Sequence, residues 1–176
     1  NRDRMEKGKI LVYGLGSEAK RDDGVGPAVV RRVEENIAPE LKQKIHFVTG
    51  YFTGWNLLNL LQGYEEVVVV EGILSGIYPV GTVVEISEFP TEWEGFFTPR
   101  LFEVKRIAEE FRKEIKNVPN KFTAFGIEVL NLSSFGYEMT GEVEKILPDL
   151  SKRFQDFLEG KYRKSEQKQP SPSAFG

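Results

Sequence analysis

Residues 9–26 read KILVYGLGSEAKRDDGVG, and the order of signals in this stretch decides the fold. Ile10-Leu11-Val12-Tyr13 is an apolar run between Gly8 and Gly14, the pattern of a buried strand. The turn Gly14-Leu15-Gly16-Ser17 follows, then Lys20-Arg21, then Asp22-Asp23-Gly24 where a helical pattern opens. Val25, Val29, Val30, Val33 and Ile37 recur at helical spacing, so one face of that helix is predicted to be buried. Pro27 sits in its first turn, where a missing N–H costs little. A strand that delivers two acids to the start of a helix is a place for chemistry.

Outward from this unit, strand and helix signals alternate, which predicts a layered α/β sheet. A short strand is expected at Ile45–Val48. Thr53 then reads as the N-cap of a helix running to Gln62, with Trp55, Leu57, Leu58 and Leu61 as its apolar bulk. Val67-Val68-Val69-Val70 is β-branched at every residue and reads as a central parallel strand covered on both faces. It runs directly into Glu71-Gly72. Thr82–Ser87 alternates and suits an edge strand. A helix over Phe102–Lys116, a strand over Phe122–Val129 and a last helix over Thr140–Leu158, bent or broken at Pro148, complete the series. One domain is expected over residues 8–160, with an N-terminal extension at 1–7 and a polar, disordered tail at 161–176.

Composition narrows the function classes. With 176 residues the chain is long enough to bury one core, and its net charge of −3 leaves no basic footprint for nucleic acid. The absence of cysteine excludes disulfides, thiolate metal sites and a cysteine nucleophile. No apolar run approaches a membrane span, and Asn1-Arg2-Asp3-Arg4 lacks the apolar core of a signal peptide, so the expected compartment is the cytoplasm.

In open α/β sheets, ligands bind beyond the carboxyl ends of the parallel strands. Two acids fall there: Asp23 after the first strand and Glu71 after the four valines, with Asp22 beside them. A carboxylate at the end of such a run is costly unless paired, solvated or bound to a cation. Asp22 and Asp23 have a plainer reading as helix N-caps. Gly14-Leu15-Gly16-Ser17-Glu18-Ala19 also spells the dinucleotide pattern G-x-G-x-x-A. That pattern needs a helix opening at once and an acid ending the second strand, where this chain has Thr49-Gly50. The single histidine, His46, lies inside a strand and reads as structural, and no Gly-x-Ser-x-Gly elbow is present.

On these residues the chain resembles the hydrogenase maturation endopeptidases. The resemblance spans Lys9–Leu158 and rests on Gly14-Leu15-Gly16, on Asp22-Asp23-Gly24-Val25-Gly26 and on the valine strand ending in an acid. Pro79-Val80-Gly81-Thr82 and Phe125-Gly126-Ile127 follow in order. It implies a three-layer α/β/α sandwich around a twisted, mostly parallel sheet with an antiparallel edge strand. It also implies an aspartyl endopeptidase-like hydrolase that removes a C-terminal extension from the large subunit of a nickel-iron hydrogenase after metal insertion. By position Asp23 and Glu71 take the family's two carboxylate places, as catalytic and nickel-sensing residues, with the nickel supplied by the substrate and no tightly bound cofactor. The family's histidine place falls near Thr98-Pro99-Arg100, where Arg100 replaces it. Thr49-Gly50-Tyr51-Phe52 stands where Asp-Gly-Gly-Thr is common, and Ser17 where asparagine is usual.

Arg has no lone pair for a metal and does not deprotonate in a protein. Its guanidinium is expected between Asp23 and Glu71 as a charge-assisted pair, or else on the surface before the Phe102 helix. Two further functions stand beside the peptidase. One is a non-catalytic assembly protein that binds a hydrogenase-like large subunit, with Tyr51, Phe52, Trp55, Trp93, Phe96 and Phe97 as docking aromatics or core. The other is a nucleotide-binding enzyme.

Overall fold

The computed structural model describes residues 10–86, 100–115 and 117–163. The expected segments at 1–7 and 164–176, the end of the edge strand at Ser87, and Trp93, Phe96, Phe97, Thr98 and Pro99 lie outside the described residues. Strand β1 (Ile10–Leu15) is followed by a short 3-10 turn at Arg21–Gly24, then α1 (Val25–Asn36), α2 (Pro39–Lys44) and β2 (Ile45–Gly50). Next come α3 (Gly54–Leu61), β3 (Glu66–Ile73) and β4 (Val83–Glu85). Helix α4 (Leu101–Phe111), β5 (Lys121–Glu128) and α5 (Gly141–Arg163) complete the order.

The strands form one five-stranded sheet in the order β2-β1-β3-β5-β4. All neighbouring pairs are parallel except β4, which runs antiparallel to β5 at the edge. The two faces of the sheet bury separate cores. Val12, Val68, Val70, Phe125 and Ile127 point to a core shared with α1, α2 and α5, supplied by Val29, Leu41, Leu150 and Phe154 among others. Leu11, Tyr13, Val67, Val69 and Ala124 point the other way, against Leu57, Leu58 and Leu61 of α3 and Val104 and Ile107 of α4. This is the expected three-layer sandwich. The valine run serves both cores because adjacent side chains of a strand face opposite ways.

Three expectations are corrected. Helix α5 is not broken at Pro148; it runs through to Arg163 because Val143, Leu147, Leu150, Phe154, Leu158 and Tyr162 bury one continuous stripe on both sides of the proline. Residues 161–163 therefore belong to the helix rather than to the polar tail, and Lys161 pairs with Glu66 at the start of β3. Trp55 supplies no core bulk: it is 71% exposed, against the edge of Phe111. Helix α2, which no sequence signal marks, forms with Pro39 in its first turn and Leu41 as its single buried side chain.

The chain order reverses between β1 and β3. From β1 the chain crosses to β2 on one side, then returns to β3 on the other. A crevice opens beyond the strand ends at such a switch point. Gly26, in the first turn of α1, lets the helix seat directly over it: a Cβ there would clash with the carbonyl oxygen of Val70 and lie 2.9 Å from that of Leu15. The close approach places the Asp22-Asp23 turn at the carboxyl ends of β1 and β3.

Candidate functional site

Glu71 is the sixth residue of β3 and points to the same face of the sheet as Val67 and Val69. It stands level with Leu15 of β1 and Gly126 of β5 and is only 1% exposed. Asp23 reaches the same crevice from the 3-10 turn and is 3% exposed. Its Oδ2 accepts a 2.8 Å hydrogen bond from the Ser17 N–H, so the turn after β1 aims the carboxylate. Gly16 makes this possible, since a side chain there would collide with the Asp23 carbonyl oxygen and its φ of +153° lies in a region that favours glycine.

Between these acids stands Arg100, at the N-cap position of α4. Its Nη2 pairs with Asp23 Oδ1, its Nη1 donates to Asp23 Oδ2 at 3.2 Å, and its Nε lies 3.5 Å from Glu71 Oε2. The Arg100 backbone N–H also donates to Glu71 Oε2 at 3.2 Å, so helix and side chain grip the same oxygen. Burial works against the charge of Arg100, but the Asp23 hydrogen bond and the charges of Asp23 and Glu71 outweigh it and hold its pKa above the ordinary value. The guanidinium thus takes the paired position and not the surface one. A fork of this shape matches two carboxylates better than any other side chain can.

Tyr51 covers the outer side. Its ring centroid lies 5.0 Å from Arg100 Cζ, a cation–π contact, and its ring is half exposed. Tyr13, on β1 beneath it, orients this turn: its hydroxyl donates to the Gly50 carbonyl and accepts from the Phe52 N–H, both at 3.1 Å. Burial pushes the Tyr13 phenol well above its ordinary pKa, the Phe52 hydrogen bond and the Arg100 charge only partly opposing it. The turn after β2 is therefore in contact with Arg100. A polar cavity of about 360 Å³ lies elsewhere, between α4 and β5, and a second of about 330 Å³ extends from Tyr51 along Gly16–Glu18.

Asp22 and Asp23 part company here, and neither caps α1, whose N-cap is Gly24 without a side-chain hydrogen bond. Asp22 is fully buried and accepts from the N–H groups of Leu130, Asn131 and Thr140 and from the Thr140 hydroxyl. It ties the first turn to the segment leading into α5. His46 Nδ1 meets the Tyr64 hydroxyl, away from the acid pair. The glycine pattern finds no nucleotide-binding context, because the helix opens only at Val25 and Asp23 faces the turn. Sequence reasoning missed Glu128, a buried acid ending β5, which accepts from Ser75 and Gly76 and pins the loop after β3. Its signal was the one that marked Glu71, an acid closing an apolar strand.

Metal ligation fits poorly. Two carboxylates converge, but the third place holds a guanidinium, and among the described residues no group of three or more His, Cys, Asp or Glu could hold an ion. No helix among them is long and apolar enough to cross a membrane.

Fold and crevice together define an α/β/α protein with a buried Asp–Arg–Glu cluster at the sheet's switch point. Among solved structures the chain is similar to the hydrogenase maturating endopeptidase HybD from E. coli, with a TM-score of 0.67 and 20% identity over 88% of this chain and 94% of that one. It is similar also to the nickel-iron hydrogenase maturation protease HycI from Thermococcus kodakarensis, at a TM-score of 0.62 and 18% identity, covering 87% and 94% of the two chains. A hydrogenase 2 maturation peptidase from a Thaumarchaeota archaeon superposes at 0.57 with 20% identity, over 86% and 96%. No protein-family model matches the sequence, and no curated protein matches it. The chain has the fold of the hydrogenase maturation proteases.

Proposed function

We propose that this protein is a hydrogenase-maturation-type endopeptidase that removes a C-terminal extension from the large-subunit precursor of a nickel-iron hydrogenase. The observation that carries this reading is the convergence of Asp23 and Glu71 at the switch point of the maturation-protease fold. Hydrolysis needs a base for water and a positive group for the carbonyl oxygen. In this reading Glu71 takes a proton from water while the resulting hydroxide attacks the scissile carbonyl carbon. The C–N bond then breaks and the leaving amine takes that proton. Asp23 spends two of the five N–H donors of Arg100, so the guanidinium keeps donors for the developing oxyanion. The residues act in the cytoplasm on a protein partner; nickel, where the substrate carries it, belongs to that partner.

A second reading is favoured by the ion pairs themselves. Arg100 saturates both acids, as in a frame kept for binding, and the protein would then escort a large subunit without cutting it. Mass spectrometry of a partner precursor after incubation separates the two. Loss of a C-terminal peptide that Glu71→Gln abolishes establishes the peptidase. An intact precursor that co-purifies with the protein establishes the escort, and a precursor that is neither cut nor bound overturns both readings.

A further inference from the structure

We propose that Arg100 is the resident cation of this site, held between Asp23 and Glu71 in place of a divalent metal, so that the acid pair does not coordinate nickel. Two buried carboxylates this close repel one another and need a positive charge between them. The chain supplies that charge covalently, from the N-cap residue of its own α4. Arg100 is held by Asp23 through two guanidinium N–H donors, by Glu71 through Nε and through its own backbone N–H, and by Tyr51 over one face of the guanidinium. A metal ion entering the pair would have to expel this group into solvent, past the Tyr51 ring and at the cost of the Glu71–backbone bond. It would gain two carboxylate ligands and no nitrogen ligand, because the sole imidazole of the chain is engaged with Tyr64.

The Tyr51 turn and Arg100 act as one device. Tyr13 fixes the turn, the turn carries the ring, and the ring lies on the guanidinium. Two of the three places where the chain departs from the pattern it resembles, Arg100 and the Tyr51 turn, are thus accounted for by a single exchange of metal for side chain. The statement about nickel rests on this geometry alone. Its consequence, that partner recognition runs without sensing nickel, rests on the function proposed above.

The test is titration of the intact protein with nickel chloride, followed by calorimetry and thermal unfolding. Wild type is expected to give no saturable heat and an unmoved Tm. The Nε–H resonance of Arg100 should stay sharp in the presence of the paramagnetic ion. Arg100→His and Arg100→Ala, checked for native fold by near-ultraviolet circular dichroism, open the pair. At about a hundredfold excess over Kd, nickel is expected to raise the Tm of at least one of them by about 5–10 °C. Adding Glu71→Gln to that variant should remove the effect. Saturable nickel binding by wild type that Glu71→Gln abolishes overturns the proposal, as does failure of both folded variants to gain it. Where the variants do not fold, the wild-type titration and the Arg100 resonance decide alone. Because no partner is needed, a negative result for precursor cleavage leaves this outcome readable.

Discussion

Tyr13 shows how much of the site hangs on one hydroxyl. It sits under the Tyr51 turn with its phenol buried and its pKa raised, burial being the main cause. A phenol whose folded pKa lies above its unfolded value stabilises the fold fully below the unfolded value, near 10, and loses that contribution as pH climbs toward the folded value. Stability is therefore expected to fall once pH passes about 10. Tyr13→Phe should flatten part of that alkaline loss, Tyr162 retaining its own share through burial. At neutral pH the same change should cost on the order of 1–2 kcal/mol, because the Phe52 N–H loses its acceptor while Gly50 keeps the Gly16 N–H. Urea unfolding midpoints of both proteins across the alkaline range check both signs. Position in the sequence made Asp23 and Glu71 legible, since strand ends can be read from apolar runs. The contact of Tyr51 with Arg100 joins residues far apart in the chain, and no local pattern announces it.

At the scale of elements, helix-to-sheet packing is set by a few positions that admit no side chain. Gly26→Ala would push a methyl group into the Val70 carbonyl and against that of Leu15, both backbone atoms that cannot swing aside. Helix α1 would have to lift off β1 and β3, carrying Asp23 away from Arg100. The expected cost is about 3 kcal/mol, the upper end of ordinary overpacking, with loss of whatever activity the crevice supports. Gly160 is the counter-example: it lies inside α5 with nothing within 4 Å of a new Cβ. Gly160→Ala should stabilise by roughly 0.5–1 kcal/mol through helix propensity alone. Chemical denaturation of the two variants beside wild type tests the contrast. The strands were readable because β-branched runs have few other uses. Helix α2 was not, because six polar-rich residues with one buried leucine carry almost no periodicity. The continuity of α5 was hidden by Pro148, whose local penalty is outweighed by burial on both sides of it.

Across the whole molecule, the crevice depends on a tie between distant parts of the chain. The Asp22 carboxylate collects three backbone N–H groups and one hydroxyl from residues 130–140, more than a hundred residues away in sequence. Fully buried, it repays its desolvation only while those donors stay in place. The adjacent Asp23 owes its position to the same 3-10 turn, so the tie anchors the candidate site to α5 as well as to β1. Asp22→Asn keeps the size but replaces one acceptor oxygen by an NH2 that must face N–H donors. The expected loss is on the order of 3 kcal/mol. Hydrogen exchange at Leu130, Asn131 and Thr140 should speed up well before the sheet amides of β1 and β3 respond, because those strands are held by their own ladders. Equal acceleration of the sheet amides would mean that Asp22 supports the global fold rather than the join between turn and helix. A selective change would place the join between the acid-bearing turn and α5 among the weaker links of the molecule.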